Sequence, residues 1–137
     1  MLKIVLDTNI ILSSVSPFSP YRIILDKLDN FSYELCVSTE ILLEYEEKLS
    51  TIFSPQVAQL TLDVMAINPN VRLYTPSFQT RLIYIDPDDN KFVDCAFAAN
   101  AHYLVTNDRH FKVLEQTNFP KINLLKIEGF MDVLNSL

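Results

Sequence analysis

The 137-residue sequence contains a single glycine, Gly129, and no tryptophan. At average usage a chain of this length carries about ten glycines. Walker A loops and dinucleotide fingerprints each need several glycines, where the backbone turns sharply or comes close to a phosphate, so both devices are excluded. Collagen-like repeats and glycine-rich linkers are excluded on the same ground. The two cysteines, Cys36 and Cys95, lie far apart and are too sparse for a disulfide scaffold; they read as buried free thiols. With only two histidines, His102 and His110, a zinc site is not expected. No run reaches about 18 apolar residues, and the apolar stretch Met1 to Val15 is interrupted by Asp7, Asn9 and serines. A soluble, cytoplasmic protein without membrane association is therefore expected. Basic residues are also scarce, 11 Lys+Arg against 17 Asp+Glu for a net charge of −6, which argues against nucleic-acid binding through a broad basic face.

What is present is enough for one core. Hydrophobic residues make up 49% of the chain, and the length fits one domain, residues 1–137. Lys3 to Leu6 is a β-branched apolar run ending at Asp7 and reads as a buried strand. Ser19-Pro20 predicts the start of a helix from Tyr21 to about Leu28, Tyr33 to Val37 a second strand, and Ser38 the cap of a helix over Thr39 to Ser50. Ser54-Pro55 opens another helix to about Ile67, stopped by Asn68-Pro69-Asn70. Val71 to Tyr74 is a third strand. After the acidic turn Asp86-Pro87-Asp88-Asp89, a helix runs from Asp89 or Asn90 to Asn100, where asparagine stands in for the usual C-terminal glycine. Tyr103 to Thr106 is a strand, His110 to Glu115 a short helix, and Ile122 to Lys126 a last strand before a C-terminal helix. This alternation predicts an α/β fold, a three-layer α/β/α sandwich around a central, mainly parallel sheet.

In such sheets ligands bind beyond the carboxyl ends of the strands. Asp7 follows the first strand, and Asp108 comes two residues after the Tyr103 to Thr106 strand, so both are expected on one rim. On the Thr39 to Ser50 helix, Ile41, Leu42, Tyr45 and Leu49 form the apolar stripe, and Glu44 falls about 60° beyond it at ~100° per residue. Glu44 can thus approach the rim, whereas Glu40, Glu46 and Glu47 belong to a solvated face. Asp86, Asp88, Asp89 and Asp94 add further acids. If both were helical, Asp89 and Asp94 would point about 140° apart. Carboxylates gathered on one rim repel unless hard cations lie between them, and oxygen-only ligation selects Mg²⁺ or Mn²⁺. The chemistry suggested is metal-dependent phosphodiester hydrolysis.

Asp7-Thr8-Asn9 after the first strand, Glu44 in Leu-Leu-Glu-Tyr-Glu-Glu-Lys-Leu, the run Asp86 to Phe92, and Tyr103-Leu104-Val105-Thr106-Asn107-Asp108 together resemble the PIN domain over nearly the whole chain. The similarity is strongest to the small single-domain VapC-type toxin components of toxin–antitoxin systems. The resemblance implies a Mg²⁺- or Mn²⁺-dependent endoribonuclease acting on RNA, a cognate antitoxin and a homodimer. Carried over by position, Asp7, Glu44, Asp89 and Asp108 are the catalytic acids and, with Asp94, the metal ligands. For the third acid, Asp86, Asp88 and Asp94 stay as alternatives to Asp89. Asn9 and Thr106 are expected to orient a site carboxylate or contact substrate, and Lys91, Arg109 and Lys112 to contact the phosphate backbone. The alternative is a catalytically inactive module of the same fold that binds RNA or protein.

Overall fold

The computed structural model describes residues 1–137. Five short strands, β1 (Lys3–Leu6), β2 (Glu34–Val37), β3 (Val71–Leu73), β4 (Tyr103–Val105) and β5 (Leu124–Leu125), form one sheet in the order β3-β2-β1-β4-β5. Every pairing is parallel, so the expected mainly parallel sheet is wholly so. The helices are α1 (Thr8–Ser14), α2 (Ile23–Asp29), α3 (Thr39–Ile52), α4 (Pro55–Ile67), α5 (Asn90–Ala99) and α6 (Ile127–Asn135), with 3-10 segments at Pro87–Asp89 and Arg109–Gln116. None is long and apolar enough to cross a membrane.

A parallel sheet covered on both faces needs continuous apolar strands rather than alternating ones. Ile4, Val5 and Leu6 of β1, Leu35, Cys36 and Val37 of β2, and Leu104 and Val105 of β4 meet that need and are buried. On one face, the Tyr33 hydroxyl donates to the Ile24 carbonyl of α2 at 2.7 Å and its ring meets Phe130 of α6 edge-on at 5.3 Å. Cys36 has the opposite parity along the strand and lies near Cys95 of α5. The helices therefore form layers on both sides of the sheet.

Local signals place most boundaries. The Ser38 and Ser54 hydroxyls accept from the backbone amides of Ile41 and Val57 at the starts of α3 and α4. Asn100 ends α5 in the left-handed conformation, φ 52° and ψ 49°. Three expectations differ from the structure. Ser19 does not cap a helix from Tyr21; its hydroxyl accepts from the Tyr21 amide in a local turn, and α2 begins at Ile23. The last strand shrinks to Leu124–Leu125. The sequence pattern also gave no sign of α1. Seven residues with two adjacent isoleucines lie below the length at which a helix is stable by propensity, so α1 depends on burying Ile10 and Ile11.

The chain runs from β1 outward through β2 to β3, then crosses back to place β4 on the other side of β1. The order of connection reverses between β1 and β4, which opens a crevice at their carboxyl ends. Asp7 and the segment Thr106 to Asp108 leave the sheet at that point.

Candidate metal centre in an acidic pocket

Asp7 is the first residue after β1, and its amide donates to the Val105 carbonyl of β4 at 3.0 Å. Its carboxylate Oδ2 accepts from the Thr106 hydroxyl at 2.7 Å, and that hydroxyl oxygen accepts from the Asp108 amide at 3.0 Å. A single threonine thus ties together the acids that end the two strands. The hydroxyl proton is committed to Asp7, which fixes Thr106 as a holder of a carboxylate rather than a donor to substrate. Asp108 in turn accepts from the His110 amide at 2.9 Å, capping the 3-10 helix that follows.

Asp89 reaches this group from the start of α5. Pro87–Asp89 forms one tight turn, opened by the Asp86 carboxylate accepting from the Asp88 amide, and this turn sets Asp89 at the N-cap of α5 rather than inside its first turn. Its Oδ2 is buried without a hydrogen-bond partner, as is Nδ1 of His110, 3.9 Å away. The same Nδ1 is 3.5 Å from Asp108 Oδ1. One ligand atom from each of Asp89, Asp108 and His110 falls within 4.8 Å of the others, a spacing that one ion bonded to each at ~2.0 to 2.4 Å can bridge.

Charge is concentrated here without enough compensation. Burial pushes the Asp7 carboxyl above its usual range; hydrogen bonds from Thr106 and Thr8 oppose the rise, and the charges of Glu44 and Asp108 add to it. Asp89 is pushed up to about 7, first by burial and then by the charges of Asp86, Asp7, Asp108 and Glu44. A carboxyl raised this far inside a ring of acids marks a candidate functional site.

Glu44 borders the pocket from α3, as its helical position predicts. Its Oε2 accepts from the Thr8 hydroxyl, and its Oε1 is 2.6 Å from the Lys91 ammonium. Lys91 also reaches Asp88 at 2.9 Å, and its side chain is only 7% exposed. The Lys91 ammonium holds Asp88 below the usual carboxylate range. Burial would lower the lysine, but the hydrogen bonds it donates to Glu44 and Asp88 overcome this and keep the ammonium charged.

The side chains of the other expected residues make no bond to Asp7, Asp89 or Asp108. The Asp94 Oδ1 accepts from both the amide and the hydroxyl of Thr80, at 2.8 and 2.7 Å, and so anchors the irregular segment before the acidic turn. Asn9 is exposed on α1 and its amide makes no hydrogen bond to Asp7. Lys91, expected at a phosphate, is instead buried between two acids. Arg109 and Lys112 are exposed and, with Lys126, line a groove that includes Asp108. Thr8 and His110 were not singled out by the sequence. The available signals were slight: Thr8 adjoins Asp7, and His110 follows Asp108 by two residues.

The sequence profile of the PIN domain matches residues 3–110. No curated protein sequence matches the chain. Among solved structures, VapBC2 from Rickettsia felis, bound to a DNA fragment from its promoter, is similar with a TM-score of 0.63 and 22% identity, over 91% of this chain and 98% of that one. DNA-bound VapBC from Salmonella typhimurium is similar at a TM-score of 0.61 and 19% identity, over 93% and 99%. FitAcB from Neisseria gonorrhoeae follows at 0.56 and 15%, over 91% and 98%. With the profile covering most of the sequence, and the wholly parallel sheet bringing acids from β1, β4 and α5 to one crevice, the chain belongs to the PIN domain family.

Proposed function

We propose that the protein is a Mg²⁺- or Mn²⁺-dependent endoribonuclease and the toxin of a toxin–antitoxin pair. The observation that carries this reading is the buried, unpartnered Oδ2 of Asp89, grouped with Asp108 and His110 and within reach of the charge of Asp7. The donors present fit a hard divalent ion, being mostly carboxylate oxygens with a single imidazole at the margin. When bound, such an ion lowers the pKa of a coordinated water and neutralises charge on a phosphoryl oxygen.

The chain's own residues supply placement. Asp7 is held by Thr106, and Asp108 is held by its amide bond to Thr106 and by the His110 amide. Asp7, Glu44, Asp89 and Asp108 are the acids of the pocket; Asp94 acts indirectly, by anchoring Thr80. Arg109 and Lys112 are the phosphate contacts, because Lys91 is committed to Glu44 and Asp88. Asn9, exposed near the rim, contacts substrate. The net charge of −6 ceases to be an objection to RNA, because a divalent ion held by the pocket acids would offset their charge. No glycine loop is available for that task.

An antitoxin partner is supported by the VapBC likeness and by surplus apolar surface. Phe53, Leu60 and Val64 are exposed along a groove between α2 and α4, next to Val15, Leu25 and Val57. Leu43 is exposed on α3. Homodimerisation is the companion expectation, checked by size-exclusion chromatography across a concentration series; a strict monomer at high concentration refutes it.

The deciding experiment is cleavage of structured RNAs with Mn²⁺ or with EDTA, beside Asp7→Asn. The variant should fold, as circular dichroism would show, and lose at least about 100-fold in rate. Cleavage by the variant at the wild-type rate overturns the assignment. Inert wild-type protein that also fails to bind Mn²⁺ points instead to a binding module of the same fold.

A further inference from the structure

The pocket contains one internal cation, and its position limits how many metal ions can enter. Both oxygens of Glu44 are already engaged, Oε1 by Lys91 at 2.6 Å and Oε2 by the Thr8 hydroxyl. Lys91 also takes Asp88 at 2.9 Å, so the ammonium is clamped between α3 and the acidic turn with a nearly inaccessible side chain. On the other side of the pocket no lysine or arginine is ion-paired with Asp7, Asp89 or Asp108, and the neighbour of the last two is His110; Asp89 and His110 keep buried atoms without partners. The acids thus divide into a half neutralised by the chain and a half that is not.

A second divalent ion would have to take Glu44 as a ligand. It would then stand within about 4 Å of the Lys91 ammonium, with twice the charge product of an ordinary like-charge pair and no water between to screen it. We infer that Lys91 replaces a second metal: the pocket binds one divalent ion, on the Asp7, Asp89 and Asp108 side, and Glu44 is a positioning residue held by Lys91 rather than a ligand. This rests on the proposed metal-dependent reading, and it adds the stoichiometry and the division of labour among the acids.

The test counts Mn²⁺ bound to the full chain at saturation, by equilibrium dialysis and by electron paramagnetic resonance of the free ion. Wild type should bind one ion per chain. Lys91→Met, which keeps the length of the stem and removes the charge, should bind two, the second more weakly, while Lys91→Arg should stay at one. Because Lys91→Met leaves two acids without their cation and can fail to fold, Glu44→Gln provides an independent arm. That variant should still bind one ion, with affinity within about threefold of wild type, because Glu44 bonds to Lys91 and Thr8 and to none of the ligands; loss of even a residue that orients a ligand would weaken binding by about tenfold or more. Two ions in wild type, or a tenfold loss in Glu44→Gln, overturns the inference while leaving metal dependence intact. A single ion in folded Lys91→Met also overturns the role of Lys91. No ion in wild type removes the metal reading itself.

Discussion

Asparagine at position 89 should stabilise the metal-free protein and destroy its metal affinity. In the folded chain the Asp89 carboxyl is raised from 3.8 to about 7, by burial and by neighbouring acids. A raised carboxyl pKa means that the folded state holds this proton more tightly than the unfolded state does. Its contribution is therefore complete below about pH 4 and is lost as pH rises toward 7. At ~1.4 kcal/mol per pK unit, the shift sets a ceiling near 4 kcal/mol. The Asp89 side chain as a whole keeps 16% exposure, and solvent screening reduces the realistic figure to about 1–2 kcal/mol. With EDTA at pH 8, Asp89→Asn should therefore melt roughly 3–6 °C above wild type, and at about pH 3, below the unfolded carboxyl's own pKa, the two should nearly coincide. Thermal denaturation followed by circular dichroism at both pH values measures this. Added Mn²⁺ should reverse the order at pH 8, since only wild type gains stability from the ion. A variant equal to or less stable than wild type at pH 8 without metal would refute the claim that Asp89 is held against its preference.

Three further outcomes follow from the geometry. Thr106→Val removes the hydroxyl between the Asp108 amide and the Asp7 carboxylate and should cost about 1–3 kcal/mol in urea denaturation, with a comparable loss of Mn²⁺ affinity. Asn100, left-handed at φ 52°, should lose roughly 1 kcal/mol on substitution by alanine and nothing on substitution by glycine, by the same measurement. Leu60, 66% exposed on α4, should tolerate glutamate with a stability change within about 0.5 kcal/mol, while sedimentation analysis shows loss of self-association or of antitoxin binding.

The elements that were legible in advance share a local cause. Ser38 and Ser54 announce α3 and α4 because a hydroxyl can satisfy an amide three residues ahead without any help from the rest of the chain. The uninterrupted apolar runs of β1 and β4 announce strands that are buried on both faces. Helix α1 was not legible, because its stability comes from what Ile10 and Ile11 bury against. The Ser19-Pro20 signal was misleading for a related reason: the same hydroxyl geometry closes a turn as readily as it caps a helix, and only the following contacts choose between them.

The candidate site divides along the same line. By itself the sequence determined the acids, their order along an alternating α/β pattern and hence their placement beyond strand ends, since strand polarity and helix phase are properties of short segments. It also determined that no glycine loop could hold phosphate. Which of the four acids near residue 90 turns inward was decided only by tertiary structure: the Pro87–Asp89 turn and the approach of β4 direct Asp89 to Asp108, while Thr80 takes Asp94. The fate of Lys91 was likewise beyond the sequence, where its place beside the rim acids reads as a phosphate contact. Its burial between Glu44 and Asp88 depends on α3 and α5 meeting over the pocket, a contact between segments nearly fifty residues apart that no local pattern encodes.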